Sequence, residues 1–280
     1  MEPAIYSKIR SAEEKLLPEL YNYCKNLFAG HHIPSHDHNH HLRVWRYARE
    51  VILSLTPGTL ELTEEDIGQL MLAVFFHDTG LTVTLDENHG LESAKICREY
   101  LSLNKEFFSF RPLEAIRAIE LHDKKDIWSS AGSVKIPDIP IIVSLCDDLD
   151  AYGPVGVLRY AEIYLLRGVS FGDLPGRVLS NLDHRFRLLS GQEWLSDDFV
   201  SRHEVRYNLA RNFYKALQLS DSTAKKDIIL SYMDFVNHQR GNLPGFVAEL
   251  TAGKNNETCG FGRELLRDLE DPVTGLSAEP

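Results

Sequence analysis

The sequence predicts an all-α protein, from three observations. Apolar residues recur at helical spacing along most of the chain. Prolines punctuate the helical stretches rather than interrupt them. Convincing runs of period-2 alternation are absent. Residues 63–78 carry the clearest stripe, Ile67, Leu70, Met71, Val74 and Phe75, at i, i+3, i+4 and i+7 spacing. Thr63 precedes it and Asp66 follows three residues later, which reads as a capping box with Asp in place of the usual Glu. Residues 40–55 repeat the period with Val44, Ala48, Val51, Ile52 and Leu55. Further helices are expected at 4–28, 89–103, 112–122, 140–150, 154–167, 176–190, 197–219, 222–238 and 244–251. Pro112, Pro140, Pro154, Pro175 and Pro244 sit at or near helix starts, where a missing N–H costs nothing. Val134 to Ile136 is the one candidate extended piece. Beyond Thr251 the chain turns Gly- and Asn-rich, with one short helical stretch at Arg263 to Leu269, and is expected to fray after Asp271.

The chain has 280 residues, 43% hydrophobic and 25% charged, which excludes collagen, low complexity and global disorder. Its length suits one or two domains, and no linker or internal repeat divides it, so one compact body is expected. The net charge of −11 argues against a nucleic-acid polymer or a basic membrane-binding surface as partner. It does not exclude a small anionic substrate, which needs only local positive charge. The longest apolar run, residues 70–76, falls far short of the roughly 20 residues of a membrane span. The first residues show no basic or apolar leader pattern, and Cys24, Cys97, Cys146 and Cys259 are widely spaced. A cytoplasmic setting with buried, unpaired cysteines is expected.

Three segments carry candidate chemistry. Histidines crowd residues 31–41: His31, His32, His36, His38, His40 and His41. His31, His32 and His38 read as solvated. Either His40 or His41 can project onto the apolar face one turn before Val44, and spacing alone does not choose. His77-Asp78 closes the most apolar helix, where adjacent polar groups are costly unless satisfied. Together they offer one nitrogen and two oxygens to a cation. Cys146-Asp147-Asp148-Leu149-Asp150 ends the apolar run 139–145, with Asp147 one turn after Val143 and Asp148 pointing elsewhere. Carboxylates so close repel unless a cation or solvent relieves them.

In order on successive helices, these pieces resemble the HD superfamily of metal-dependent phosphohydrolases. Residues 35–44 (Ser35-His36-Asp37, then His40, Arg43 and Val44) are similar to its S-H-D-x-x-H-x-x-R-V segment. That alignment selects His40 over His41. Residues 73–80, ending His77-Asp78-Thr79-Gly80, resemble its apolar-H-D-x-G helix end, and residues 147–156 its D-x-L-D-A-x-G-x-x-G segment. The resemblance covers roughly residues 35–167. It implies an HD-domain helical core there; periodicity and composition add a helical N-terminal segment (1–34), a helical C-terminal region (168–270) and a disordered tail (271–280).

The resemblance implies metal ligation by His40, His77, Asp78 and Asp147, with Asp78 the catalytic residue. His89 and His122, between the HD pair and the last Asp, are implied for a second metal or for substrate phosphate. His36, Asp37, Arg43, Lys124, Lys125, Asp150 and Arg159 are candidates to orient ligands or meet substrate, and Asp37 equally suits an N-cap. Mixed imidazole and carboxylate ligation suits one or two ions of Mn, Fe, Co, Ni or Zn. The implied reaction is hydrolysis of a phosphoester or phosphoanhydride of a nucleotide or other small phosphorylated molecule by a metal-activated water. No nucleic-acid polymer and no membrane is expected as partner, and a homo-oligomer stays compatible. A di-iron oxygenase of the same fold uses a similar ligand set and is the alternative; a non-catalytic sensor or scaffold is a third. The subgroup marks of cyclic dinucleotide phosphodiesterases are missing, including a second His after His122, where Asp123 stands. So is the Glu-Asp pair of alarmone hydrolases, where Leu81-Thr82-Val83 stand. Tyr152, Tyr160, Trp194 and Tyr207 read as core rather than as a base pocket.

Overall fold

A computed structural model describes residues 4–55, 62–105, 108, 111–124, 138–219 and 223–270. The candidate extended piece at 134–136, Lys125 and the tail 271–280 lie outside them. Among the described residues the fold is all-α, with no strand. The α-helices are α1 Ala4–Leu27, α2 His38–Ser54, α3 Glu64–Phe76, α4 His89–Leu103, α5 Leu113–Leu121, α6 Ile139–Asp150, α7 Gly153–Leu166, α8 Leu174–Ser190, α9 Asp197–Gln218, α10 Thr223–Asn237, α11 Leu243–Ala252 and α12 Asn256–Glu270. A 3-10 turn, Thr79–Thr82, follows α3. No helix among the described residues is long and apolar enough to cross a membrane.

The chain clusters into two units. The first comprises residues 1–31, 37–147 and 191–197; the second comprises 32–36, 148–190 and 198–280.

In the first unit α3 is the central helix, packed by α1, α2 and α5. Its capping box is present: Thr63 Oγ1 accepts from Asp66 N at 3.1 Å, and Asp66 Oδ2 accepts from Thr63 N at 2.8 Å. The amphipathic stripe understates its burial, since every residue from Ile67 to Phe76 is buried. Gln69, polar and buried, is satisfied by capping another helix. Its Oε1 accepts from Glu114 N at 3.0 Å, at the start of α5, where the N-cap Pro112 offers no side-chain bond. α1 lays Ile9, Ala12, Leu16, Leu20 and Cys24 inward, and the Cys24 thiol donates to Phe75 O at 2.9 Å. Pro18 lies inside α1, an exception to the pattern of prolines at helix starts; it is exposed, so the carbonyl it leaves unpaired can meet water.

In the second unit α7 is buried from Gly153 to Glu162, and α8, α10 and α12 pack on it. Its N-cap, Tyr152, makes no side-chain bond. The C-terminal helix supplies the missing acceptor: Asp268 Oδ2 accepts from Val155 N at 3.1 Å. Gly153 has φ +70, and a Cβ there would stand 2.7 Å from Asp268 Oδ2, so glycine is required on both counts. Arg206 binds the same corner, donating to Leu149 O at 2.8 Å, Tyr152 O at 3.2 Å and Asp268 Oδ1 at 3.1 Å. α12 is longer than the stretch expected at 263–269, beginning at Asn256 with Asn255 Oδ1 accepting from Glu257 N at 2.8 Å. All four cysteines are buried, and none is in a disulfide.

Candidate metal centre

α2 begins where Asp37 caps it, its Oδ1 accepting from Asn39 N at 2.9 Å. That start places His40 and His41 in the first turn, and both are fully buried. Their rings diverge. His41 donates from Nδ1 to Val74 O at 3.1 Å. His40 Nε2 instead meets His77 Nε2 at 3.0 Å, Asp78 Oδ2 at 3.3 Å and Asp147 Oδ1 at 3.5 Å. The structure therefore places His40, not His41, in the cluster.

His77 ends α3 and turns its Nδ1 back onto Val74 O at 2.8 Å. The other nitrogen faces Asp78 Oδ2 at 3.5 Å and Asp147 Oδ1 at 3.7 Å. His122 ends α5 in the same manner, with Nδ1 donating to Ile119 O at 2.8 Å. His89, at the head of α4, donates from Nδ1 to Asp86 O at 3.0 Å. These three backbone bonds hold the Nδ1 proton and leave Nε2 as the nitrogen presented inward. His89 Nε2 and His122 Nε2 lie 3.2 Å apart, and each lies 3.1 Å from Asp78 Oδ1. The two carboxylate oxygens of Asp78 thus face different imidazole pairs.

Two groups of donors result, His40, His77, Asp78 and Asp147, and then Asp78, His89 and His122, all buried, with the donor atoms of each group within 4.8 Å of one another. The arrangement fits a cation. Imidazole nitrogens about 3 Å apart repel as lone pairs unless a proton or a metal lies between them. In the metal-free chain a proton fills that role between His89 and His122. Burial opposes charge on His122, but Asp123 and Asp78 outweigh it and push the pKa up to about 9. His89 is raised in the same way, against burial, by Asp78 and Asp123. Asp78 is held well below the usual carboxylate range: burial works against its charge, and His77, His122, His40 and His89 together overcome it. His41, by contrast, is lowered well below the ordinary histidine value by burial and by His77 and His40, so it stays neutral.

The turn that carries Asp78 is held by a close approach. Gly80 N donates to Ser93 Oγ at 2.7 Å, and a Cβ on Gly80 would stand 2.0 Å from His89 O. Glycine there lets the HD turn and the start of α4 touch, and so brings His89 to Asp78.

The remaining candidates are distributed as follows. Asp37 serves as the N-cap of α2. Arg43 is buried on α2, and Lys124 is exposed. His36 belongs to a buried group in the second unit, its Nδ1 2.8 Å from Glu162 Oε1. That carboxylate also accepts from Ser35 Oγ at 2.7 Å and Tyr232 OH at 2.5 Å. Asp150 and Arg159 pair with each other at 3.4 Å, and Asp148 pairs with Arg185 at 2.6 Å. Tyr152, Tyr160 and Trp194 are buried, while Tyr207 is half-buried and stacked on Phe186. Two participants escaped the reading of the sequence. Glu162 gives no signal inside an apolar helix. Asp123 was signalled only by its place directly after His122, and its Oδ2 lies 3.3 Å from His89 Nε2.

Comparison with known proteins agrees with this geometry. The HD-CE family model matches residues 17–228, a longer stretch than the motif resemblance covered. No curated relative and no solved structure matches the chain. With its buried His/Asp groups in place and most of its length matched, the chain belongs to the HD-CE family and carries an HD-type domain.

Proposed function

We propose that the protein is a metal-dependent phosphohydrolase that cleaves a phosphoester or phosphoanhydride bond in a small phosphorylated molecule, with nucleotides the leading class. One observation carries the reading: Asp78 directs one oxygen to His40 and the other to His89 and His122, inside two buried donor groups. His40, His77, Asp78 and Asp147 would hold one ion, and Asp78, His89 and His122 a second. Such an ion supplies Lewis-acid polarisation of a phosphoryl oxygen and a water acidic enough to attack near neutral pH. The chain's own part is orientation. Backbone carbonyls of Val74, Asp86 and Ile119 fix three rings, so the donors are aimed before any ligand arrives. Lys124, exposed two residues beyond His122, is the side chain proposed to meet a phosphate oxygen. The filled ligand positions favour an enzyme over a sensor or scaffold.

The same four imidazoles and two carboxylates also suit a di-iron oxygenase, which is the second reading. One experiment separates them. The full-length protein, loaded with Mn²⁺, Co²⁺, Ni²⁺ or iron, is assayed on a panel of phosphomonoesters, nucleotides and dinucleoside polyphosphates. Metal-dependent phosphate release supports the first reading. Bound iron with oxygen consumption and no phosphate release supports the second and overturns the first.

A further inference from the structure

We propose that Asp123 is a ligand of the second cation position, which makes that set Asp78, His89, His122 and Asp123. The inference rests on the reading that both donor groups hold cations, and goes beyond the residues assigned to them above. Three observations carry it.

The first is position. Asp123 Oδ2 lies 3.3 Å from His89 Nε2, the nitrogen that also faces Asp78 Oδ1 at 3.1 Å and His122 Nε2 at 3.2 Å. A single N–H points at one acceptor and cannot serve two carboxylates and an imidazole together. A cation held by Asp78, His89 and His122, whose donor atoms lie within 4.8 Å of one another, could take Asp123 as well once its carboxylate turns inward.

The second is composition. The first donor group has two imidazoles, the shared Asp78 and a carboxylate of its own, Asp147. The second has two imidazoles and Asp78, but no carboxylate of its own unless Asp123 provides it. With Asp123 included, the two positions carry matching donor sets of two nitrogens and two carboxylates, suited to the same class of divalent transition metal.

The third is exposure. The side chains of Asp78, His89 and His122 are 6%, 4% and 1% exposed, whereas Asp123 is 37% exposed. Asp123 therefore stands at the solvent side of this group. Its carboxylate can swing toward an ion without rearranging the core, and replacing it leaves the packing intact.

The test is metal uptake by the full-length protein, measured by equilibrium dialysis against Co²⁺ with elemental analysis. Wild type is expected to bind two ions. Asp123→Ala is expected to bind one as before and the other at least about tenfold more weakly, and Asp123→Glu to restore part of the loss. Asp123→Cys reports ligation directly, because a thiolate bound to Co²⁺ gives a charge-transfer absorption band that wild type, with its four buried cysteines, is expected to lack. A weakened second ion together with that band supports the proposal. A weakened second ion without the band makes Asp123 only a positioning residue for His89 and overturns the ligand assignment. Unchanged uptake in Asp123→Ala overturns it too, while leaving the two-cation reading intact. One ion in wild type, unaffected by His89→Ala, removes the two-cation reading itself and the proposal with it.

Discussion

His40 and His41 are neighbours on one helical turn, equally buried, with opposite chemistry. The difference lies in what the rings meet. Val74 O receives His41 Nδ1 as well as His77 Nδ1, and His40 turns its Nε2 to the carboxylates. Spacing along a helix cannot specify a ring rotation, so only the family motif distinguished the two beforehand. The charge on His122 leads to two predictions. With its pKa near 9 in the metal-free protein, the ring carries a proton at pH 7.5 that a metal must displace. Calorimetric titration with Mn²⁺ in buffers of different ionisation enthalpy should therefore show net proton release, diminishing as pH approaches 9. The sign for stability follows from the same shift. A folded-state pKa raised above the ordinary 6.5 stabilises the metal-free fold fully below about pH 6.5. That contribution is lost as pH rises through about 9, so the melting temperature of the metal-free protein should fall over this window. The metal-loaded protein should not show the loss, because the ion replaces the proton.

At the scale of elements, the site depends on how closely the HD turn meets α4. Gly80→Ala would force a methyl into a position 2.0 Å from His89 O. The two segments must separate, at about 1–3 kcal/mol or more of stability, and His89 must withdraw from Asp78. Denaturant titration combined with metal uptake should show both losses, with the second cation affected more than the first. Much at this scale was legible in the sequence. The capping box at Thr63 and Asp66, the N-cap at Asp37 and the prolines at helix starts are local chemistry, and local chemistry is written in consecutive residues. The illegible parts are long-range. Gln69 caps the start of α5, which lies 45 residues away and has no side-chain cap of its own. The first turns of α12 were missed because Gly260 and Gly262 weaken helix propensity there, and the buried face that stabilises the helix, including Phe261 and Leu265, is a tertiary effect.

For the whole molecule, the net charge of −11 reads differently once the carboxylates are placed. Asp78 and Asp147 sit buried among imidazoles, where a divalent ion would reverse the local sign and favour a small phosphorylated substrate. The region after residue 167, of which the family model matches residues up to 228, contributes packing and a cap. In the second unit Asp268 caps α7 and pairs with Arg206 at 3.0 Å. Asp268→Ala removes the cap and leaves a largely buried guanidinium without that carboxylate, at a cost on the order of 2–3 kcal/mol, measurable by urea denaturation. Such a role depends on where the chain folds back, which residue identity along the sequence does not encode. The central claim, that Asp78 links two donor groups into one working metal centre, is tested most directly at Asp78 itself. Elemental analysis and phosphate release should be measured together on wild type and on folded Asp78→Ala. Wild type is expected to hold transition metal and release phosphate, and the variant to do neither; hydrolysis retained by pure Asp78→Ala would contradict that claim.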